Sequence, residues 1–190
     1  MEVDLDRARS ALMLRQGEGA HYDASNAPER DLKWARLGTA YFARCLGQLN
    51  NADLDKPSTR RGWSRAQIVA QTGYHARLLA QNLEQLDQGD TVDLTLDPTD
   101  DQISLGACLP PRALRHLVQH STVHLNVTWR DLRAVDWDST LTGAAQNRLK
   151  VRDTPLLRAR LLWSNALTLD AGARLIDVPP ELLDLIKLTA

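Results

Sequence analysis

Apolar residues recur every three to four positions along four stretches of the chain, and each stretch predicts a long helix with one stripe turned to a common core. The first runs from about Asp31 to Leu49, with Ala35, Gly38, Phe42, Cys45 and Leu49 on one face. Gly38 on that stripe allows a neighbouring backbone to approach closely. The second begins at Ser64, an N-cap residue, and continues to about Leu86 with Ile68, Thr72, Leu79 and Leu86 inward. Pro110-Pro111 opens the third, since proline is tolerated in a first turn, and Leu114, Val118, Ser121, Leu125 and Leu132 form its inner face. The fourth starts near Pro155 and stops at Ala171-Gly172, with Leu157, Leu161, Ser164 and Thr168 on its stripe.

The intervening segments follow other patterns. Val3 to Arg15 predicts a short helix, broken by Gly17, Gly19 and the stretch from Asp23 to Pro28. Thr91 to Leu96 alternates with period two, and turn residues from Asp97 to Asp101 lead into Gln102-Ile-Ser-Leu105, which predicts a hairpin. A second hairpin is expected between the Trp137–Leu141 segment and Arg148–Val151, around Gly143. Val178-Pro-Pro introduces a last short helix from Glu181 to Lys187. The predicted architecture is an all-α four-helix bundle with short β-hairpin insertions and a short C-terminal helix. An N-terminal helix and loop occupy residues 1–30 and the bundle occupies residues 31–190.

Charge changes this picture by exclusion. A formal net charge of −1 leaves no electrostatic footprint for nucleic acid. No apolar run approaches the roughly 20 residues that span a bilayer. Cys45 and Cys108 are far apart, as in a reduced protein. The acidic start Met1-Glu-Val-Asp-Leu-Asp lacks the basic and apolar runs of a signal peptide, so a cytoplasmic location is expected. A small-molecule metabolite is the expected partner, with a homodimer or a partner subunit left open.

The inner faces carry many polar side chains: Gln71, His75, Ser121, His124, Ser164, Asn165 and Thr168, with Asn82 beside them. Each would cost about 1–3 kcal/mol if buried without a partner. They therefore form a hydrogen-bonded network or line a pocket between helices, where bundles build their sites. His75 and His124 are the candidates for general acid/base work, because imidazole titrates near neutral pH. Gln71, Tyr74, Asn165 and Thr168 could orient a carbonyl or carboxylate, and Arg77 or Arg130 could supply charge. His120 and His124 have metal-ligand spacing, with His75 as a third donor, but no acidic residue accompanies them and neither metal nor cofactor is expected. Asp131, Asp136 and Asp138 are expected to cap helices and face solvent. Trp129 and Trp137 are expected to pack, and Cys45 to be a buried small hydrophobe.

The stretch Gly62-Trp-Ser-Arg-Ala-Gln-Ile-Val-Ala-Gln71-Thr-Gly-Tyr-His-Ala-Arg77 resembles the N-terminal domain of mycothiol-dependent maleylpyruvate isomerases, in the DinB-like metalloenzyme superfamily. Ala35 to Arg44, His120 to Leu132, Arg158 to Gly172 and Asp177 to Leu183 extend the likeness. The resemblance implies a DinB-like bundle with a thiolate-activating metal, held by a His on the second helix plus a Glu and a His four apart on the fourth. Those positions are Gln71, Leu161 and Asn165 in this chain. Zinc takes sulfur, imidazole nitrogen or carboxylate oxygen, which two amides and a leucine do not supply. The family's Pro-rich segment after the second helix is replaced by Thr91 to Leu105, and its C-terminal domain is expected to be absent. Three readings follow. The first is a metal-independent enzyme performing isomerisation, cyclisation or another proton transfer on an unsaturated metabolite. The second is a non-catalytic ligand- or partner-binding subunit. The third is a mycothiol-dependent maleylpyruvate isomerase whose ligands align differently.

Overall fold

The protein, examined as a computed structural model, is described over residues 23–86, 94–143 and 148–186. Four long helices form the frame: α1 (Glu29–Gln48), α2 (Arg65–Glu84), α4 (Pro111–Asp131) and α6 (Thr154–Thr168), with the short α3 (Asp100–Ala107) between α2 and α4. Local chemistry starts each of the middle ones. The Ser64 hydroxyl accepts from the Gln67 amide N–H while the Gln67 side chain accepts from the Ser64 N–H, a reciprocal cap that satisfies two orphan donors. Prolines in the first turns of α4 and α6 lack only an N–H that would have no helical partner there. Past the end of α6, Asp170 and Gly172 adopt left-handed φ values of 54° and 78°, which turns the chain away.

The helices pack in two principal pairs, α1 along α6 and α2 along α4, with α2 also meeting α3 and α6. Leu32, Trp34, Ala35, Gly38, Phe42, Cys45 and Leu46 are the buried face of α1. A Cβ on Gly38 would lie 2.8 Å from the Trp163 indole nitrogen, so the absent side chain is what lets Trp163 of α6 lie against α1. That indole donates to the Trp34 carbonyl at 3.2 Å. Trp129 and Trp137 are buried, as expected.

The hairpin expected over residues 91–105 is not what forms. Gln102 to Leu105 lie within α3, capped by Thr99: its hydroxyl accepts from the Gln102 N–H while the Gln102 side chain accepts from the Thr99 N–H. A local capping box outweighs a two-strand alternation that would have had little sheet to join. Leu94 to Leu96 are irregular, and residues 91–93 lie outside the described residues. The second hairpin does form. β1 (Thr140–Thr142) pairs antiparallel with β2 (Arg148–Lys150), and buried Leu141 faces buried Leu149 across the ladder. Trp137 precedes it on the short α5 (Ala134–Trp137) instead of joining the strand. The last helix, α7 (Pro180–Leu183), is shorter than expected. The helix expected from Val3 to Arg15 lies outside the described residues. Among those described, no helix is long and apolar enough to cross a membrane.

Candidate functional site

Where α2 faces α6, Gln71 and His75 oppose Leu157, Leu161, Ser164, Asn165 and Thr168 across an open cavity of about 410 Å³. Arg60, Leu96, Asp97 and Arg160 complete its rim. The spacing along α6 explains this wall: Leu157, Leu161, Ser164 and Thr168 recur at three- and four-residue intervals and so share a face.

Hydrogen bonds tie the two helices together at this point. Asn165 Nδ2 donates to Gln71 Oε1 at 3.2 Å and to Thr72 Oγ1 at 2.9 Å. Thr72 Oγ1 in turn donates to the Ile68 carbonyl, and Thr168 Oγ1 to the Asn165 carbonyl. Leu161, one turn before Asn165, contributes only carbons to the same wall.

Behind them lies a buried cation. Arg158 is 1% exposed, and its Nη1 donates to the Thr72 carbonyl at 2.8 Å and lies 3.4 Å from His75 Nδ1. Guanidinium nitrogens only donate, so His75 meets Arg158 as the neutral imidazole, with its proton on Nε2. Burial and the adjacent Arg158 charge hold the His75 pKa down at about 3. Burial also lowers Arg158 to about 9, which leaves it charged at neutral pH. His75 Nδ1 is thus a fixed acceptor in this state, and the ring is not the imidazolium that general acid catalysis at pH 7 requires.

Of the residues singled out from sequence, Gln71, His75, Leu161, Asn165 and Thr168 come together here, with Ser164. The others are placed elsewhere, because α2 divides its circumference among α3, α4 and α6 and no residue of α4 lines this cavity. His124 does not face this cavity. Its Nε2 lies 2.5 Å from Glu84 Oε1 on the outer side of the α2–α4 seam. Tyr74, one residue and about 100° before His75, packs on Gly106 of α3. Arg77 is exposed and stands over the Tyr74 ring. Arg130 is exposed and pairs with its neighbour Asp131. His120 is exposed and stacks on His116, so the three histidines do not converge. Among the described residues no group of three His, Cys, Asp or Glu side chains is placed to hold a metal. Ser121 is buried with no partner for its hydroxyl among the described residues, and Asn82 donates to the Thr95 carbonyl.

Asp136 caps the Arg133 N–H from a buried position, which corrects the expectation of a solvent-facing carboxylate; the Arg133 side chain holds its pKa down. Asp131 and Asp138 are exposed. Burial raises the Cys45 thiol pKa, which fits a packed thiol. Two residues of the site were not anticipated, Thr72 as a hydrogen-bonding member and Arg158 as a buried cation. The signal for the second was available: Arg158, Leu162 and Asn165 follow i, i+4, i+7 spacing, which places the arginine on a buried face.

Comparison with known proteins agrees with the fold. Residues 35–163 match the family described as mycothiol maleylpyruvate isomerase N-terminal domain. Crystal structures of the mycothiol-dependent maleylpyruvate isomerase and of a histidine-to-alanine mutant of it superpose with a TM-score of 0.74 at 30% identity. Each alignment covers 80% of this chain and 64% of the crystallised chain, so this chain spans less than two thirds of those relatives' length. No curated protein matches it significantly.

Proposed function

The chain belongs to the mycothiol maleylpyruvate isomerase N-terminal domain family, and from that premise we propose that its α2–α6 cavity binds a small unsaturated carboxylate without the family's metal. The observation that carries this reading is the pair of bonds from Asn165 to Gln71 and Thr72. Gln71 and Asn165, with Leu161, occupy the positions that the family resemblance assigns to metal ligands. Amide oxygen and nitrogen engaged with each other, beside an aliphatic side chain, do not fit a zinc centre. No step through a metal is therefore assigned to this chain.

What the cavity offers instead is recognition. Gln71 spends its Oε1 on Asn165 and keeps its amide NH₂ as a donor toward the cavity. Arg60 and Arg160 at the rim outnumber Asp97, so the mouth favours an anion. Leu157 and Leu161 give the body of the ligand an apolar wall. The expected acid/base pair is not supported, because His75 Nδ1 faces Arg158 and its pKa is held too low for a base near neutral pH, and His124 lies outside. Binding is favoured over proton transfer on that ground.

The test is calorimetric titration with maleate and fumarate, before and after dialysis against a chelator, with elemental analysis of the same preparation. Binding unchanged by the chelator, no stoichiometric zinc, and a loss of about tenfold in Asn165→Ala are expected. Stoichiometric zinc, or binding that disappears with the chelator, would overturn the reading, as would failure of both dicarboxylates to bind.

A further inference from the structure

Arg158, which stands behind His75, lines a different cavity, of about 260 Å³, between α1, α4 and α6. Its walls include Thr39 from α1 and Thr122, Leu125, Asn126 and Trp129 from α4. No carboxylate is among them. The other cation of this cavity, Arg36, is already neutralised: its two terminal nitrogens donate to the Asp23 carboxylate at 2.6 and 2.7 Å, and its Nε donates to Asn126. Arg158 has no such counter-charge among the described residues. Nη1 is taken by the Thr72 carbonyl and His75, but Nη2 is buried with no acceptor among the described residues. Thr122 Oγ1, in the same cavity, is also buried and unpartnered.

We propose that this cavity is a second ligand site, one that takes a small monocarboxylate with its carboxylate on Arg158 Nη2 and Thr122 Oγ1 and its apolar body against Leu125 and Trp129. A buried guanidinium without a counter-charge is strongly unfavourable, and a carboxylate is the partner that meets its donors with charge-assisted hydrogen bonds. The Thr122 hydroxyl supplies a further donor to the same group. Ligand pockets run upward from about 300 Å³, so this smaller cavity suits a body of about one ring or a short chain. Its occupant is distinct from that of the α2–α6 cavity: the two cavities share no lining residue, and Arg158 reaches the first only through His75.

The experiment titrates the full chain calorimetrically with benzoate, with benzamide as its neutral counterpart, and with inorganic phosphate. Benzoate is expected to bind at least about tenfold more tightly than either. Thr39→Trp, which fills the mouth from α1, is expected to abolish benzoate binding. Thr122→Val, which keeps the shape and removes the hydroxyl, is expected to weaken it severalfold. Leu161→Trp, which obstructs the α2–α6 cavity, is expected to leave it unchanged and so separates the two sites. Arg158→Met is expected to lose benzoate, with circular dichroism checking that the variant is folded; if it does not fold, the Thr39 and Thr122 variants decide the matter. Benzamide or phosphate binding as tightly as benzoate would overturn the proposal. So would benzoate binding that survives Thr39→Trp, or that is lost in Leu161→Trp.

Discussion

Acidifying this protein from pH 7 to pH 5 should destabilise it through His75, by an amount the structure sets. The imidazole is 4% exposed and its folded-state pKa is held at about 3, against 6.5 for the unperturbed group. Because the folded pKa is the lower one, the unfolded chain takes up the proton first. The contribution of His75 to stability is therefore complete above about pH 6.5 and is lost progressively as pH falls toward 3. One pKa unit corresponds to about 1.4 kcal/mol, so the 1.5 units between 6.5 and 5 amount to about 2 kcal/mol. Partners hold the carboxylates of Asp53, Asp136 and Asp177 below their ordinary range, so they titrate under this window. Urea unfolding of the wild type and of His75→Gln at both pH values isolates the effect, since glutamine still offers Arg158 an acceptor and does not titrate. The wild type should lose about 2 kcal/mol more than the variant between the two conditions. Equal losses would refute the reasoning: His75 would then accept a proton inside the fold despite Arg158, and proton transfer at the α2–α6 cavity would return as a reading.

Two other substitutions probe the frame and the site. Gly38→Ala places a methyl 2.8 Å from Trp163 Nε1; the overpacking cost of about 1–3 kcal/mol should exceed the helix-propensity gain of about 1 kcal/mol, and thermal unfolding should show a lower Tm. A rise in Tm would mean that Trp163 yields easily. The combined variant Gln71→His, Leu161→Glu and Asn165→His should take up one zinc per chain by elemental analysis, because the three positions already line one cavity and supply a suitable donor set. A folded triple variant that stays free of zinc would argue that their side chains do not converge.

Much of the frame was legible along the chain because helix formation is decided locally. The stripe from Ala35 to Cys45, the Ser64 cap and the prolines at 111 and 155 each act within a few residues of themselves, and the four long helices lie close to where those signals put them. The 99–105 segment shows how such signals compete. Thr91 to Leu96 alternates like a strand, yet Thr99 followed three residues later by Gln102 is a capping box, and it starts a helix. That pattern was present in the sequence and outranked the alternation.

The site was legible only in part. Gln71, His75, Asn165 and Thr168 lie on inner faces by their spacing, and the structure brings them to one cavity. Spacing did not separate them from Tyr74, Arg77, His124 and Arg130. A single step along a helix turns about 100°, and the partner met after that turn depends on which helix is packed there. Around α2 three different helices take that role, so Tyr74 meets α3 while His75 meets Arg158 of α6.

By itself, then, the sequence determined the helices, their caps and the amide–leucine–amide set at positions 71, 161 and 165, because each depends on residues near in the chain or on side-chain chemistry alone. Tertiary structure decided that Asn165 bonds Gln71 and Thr72, that His75 is neutral, and that Arg158 lies buried with a nitrogen to spare. Those properties arise from desolvation and from contacts between residues more than eighty positions apart, and only the packing of α2 against α6 creates them.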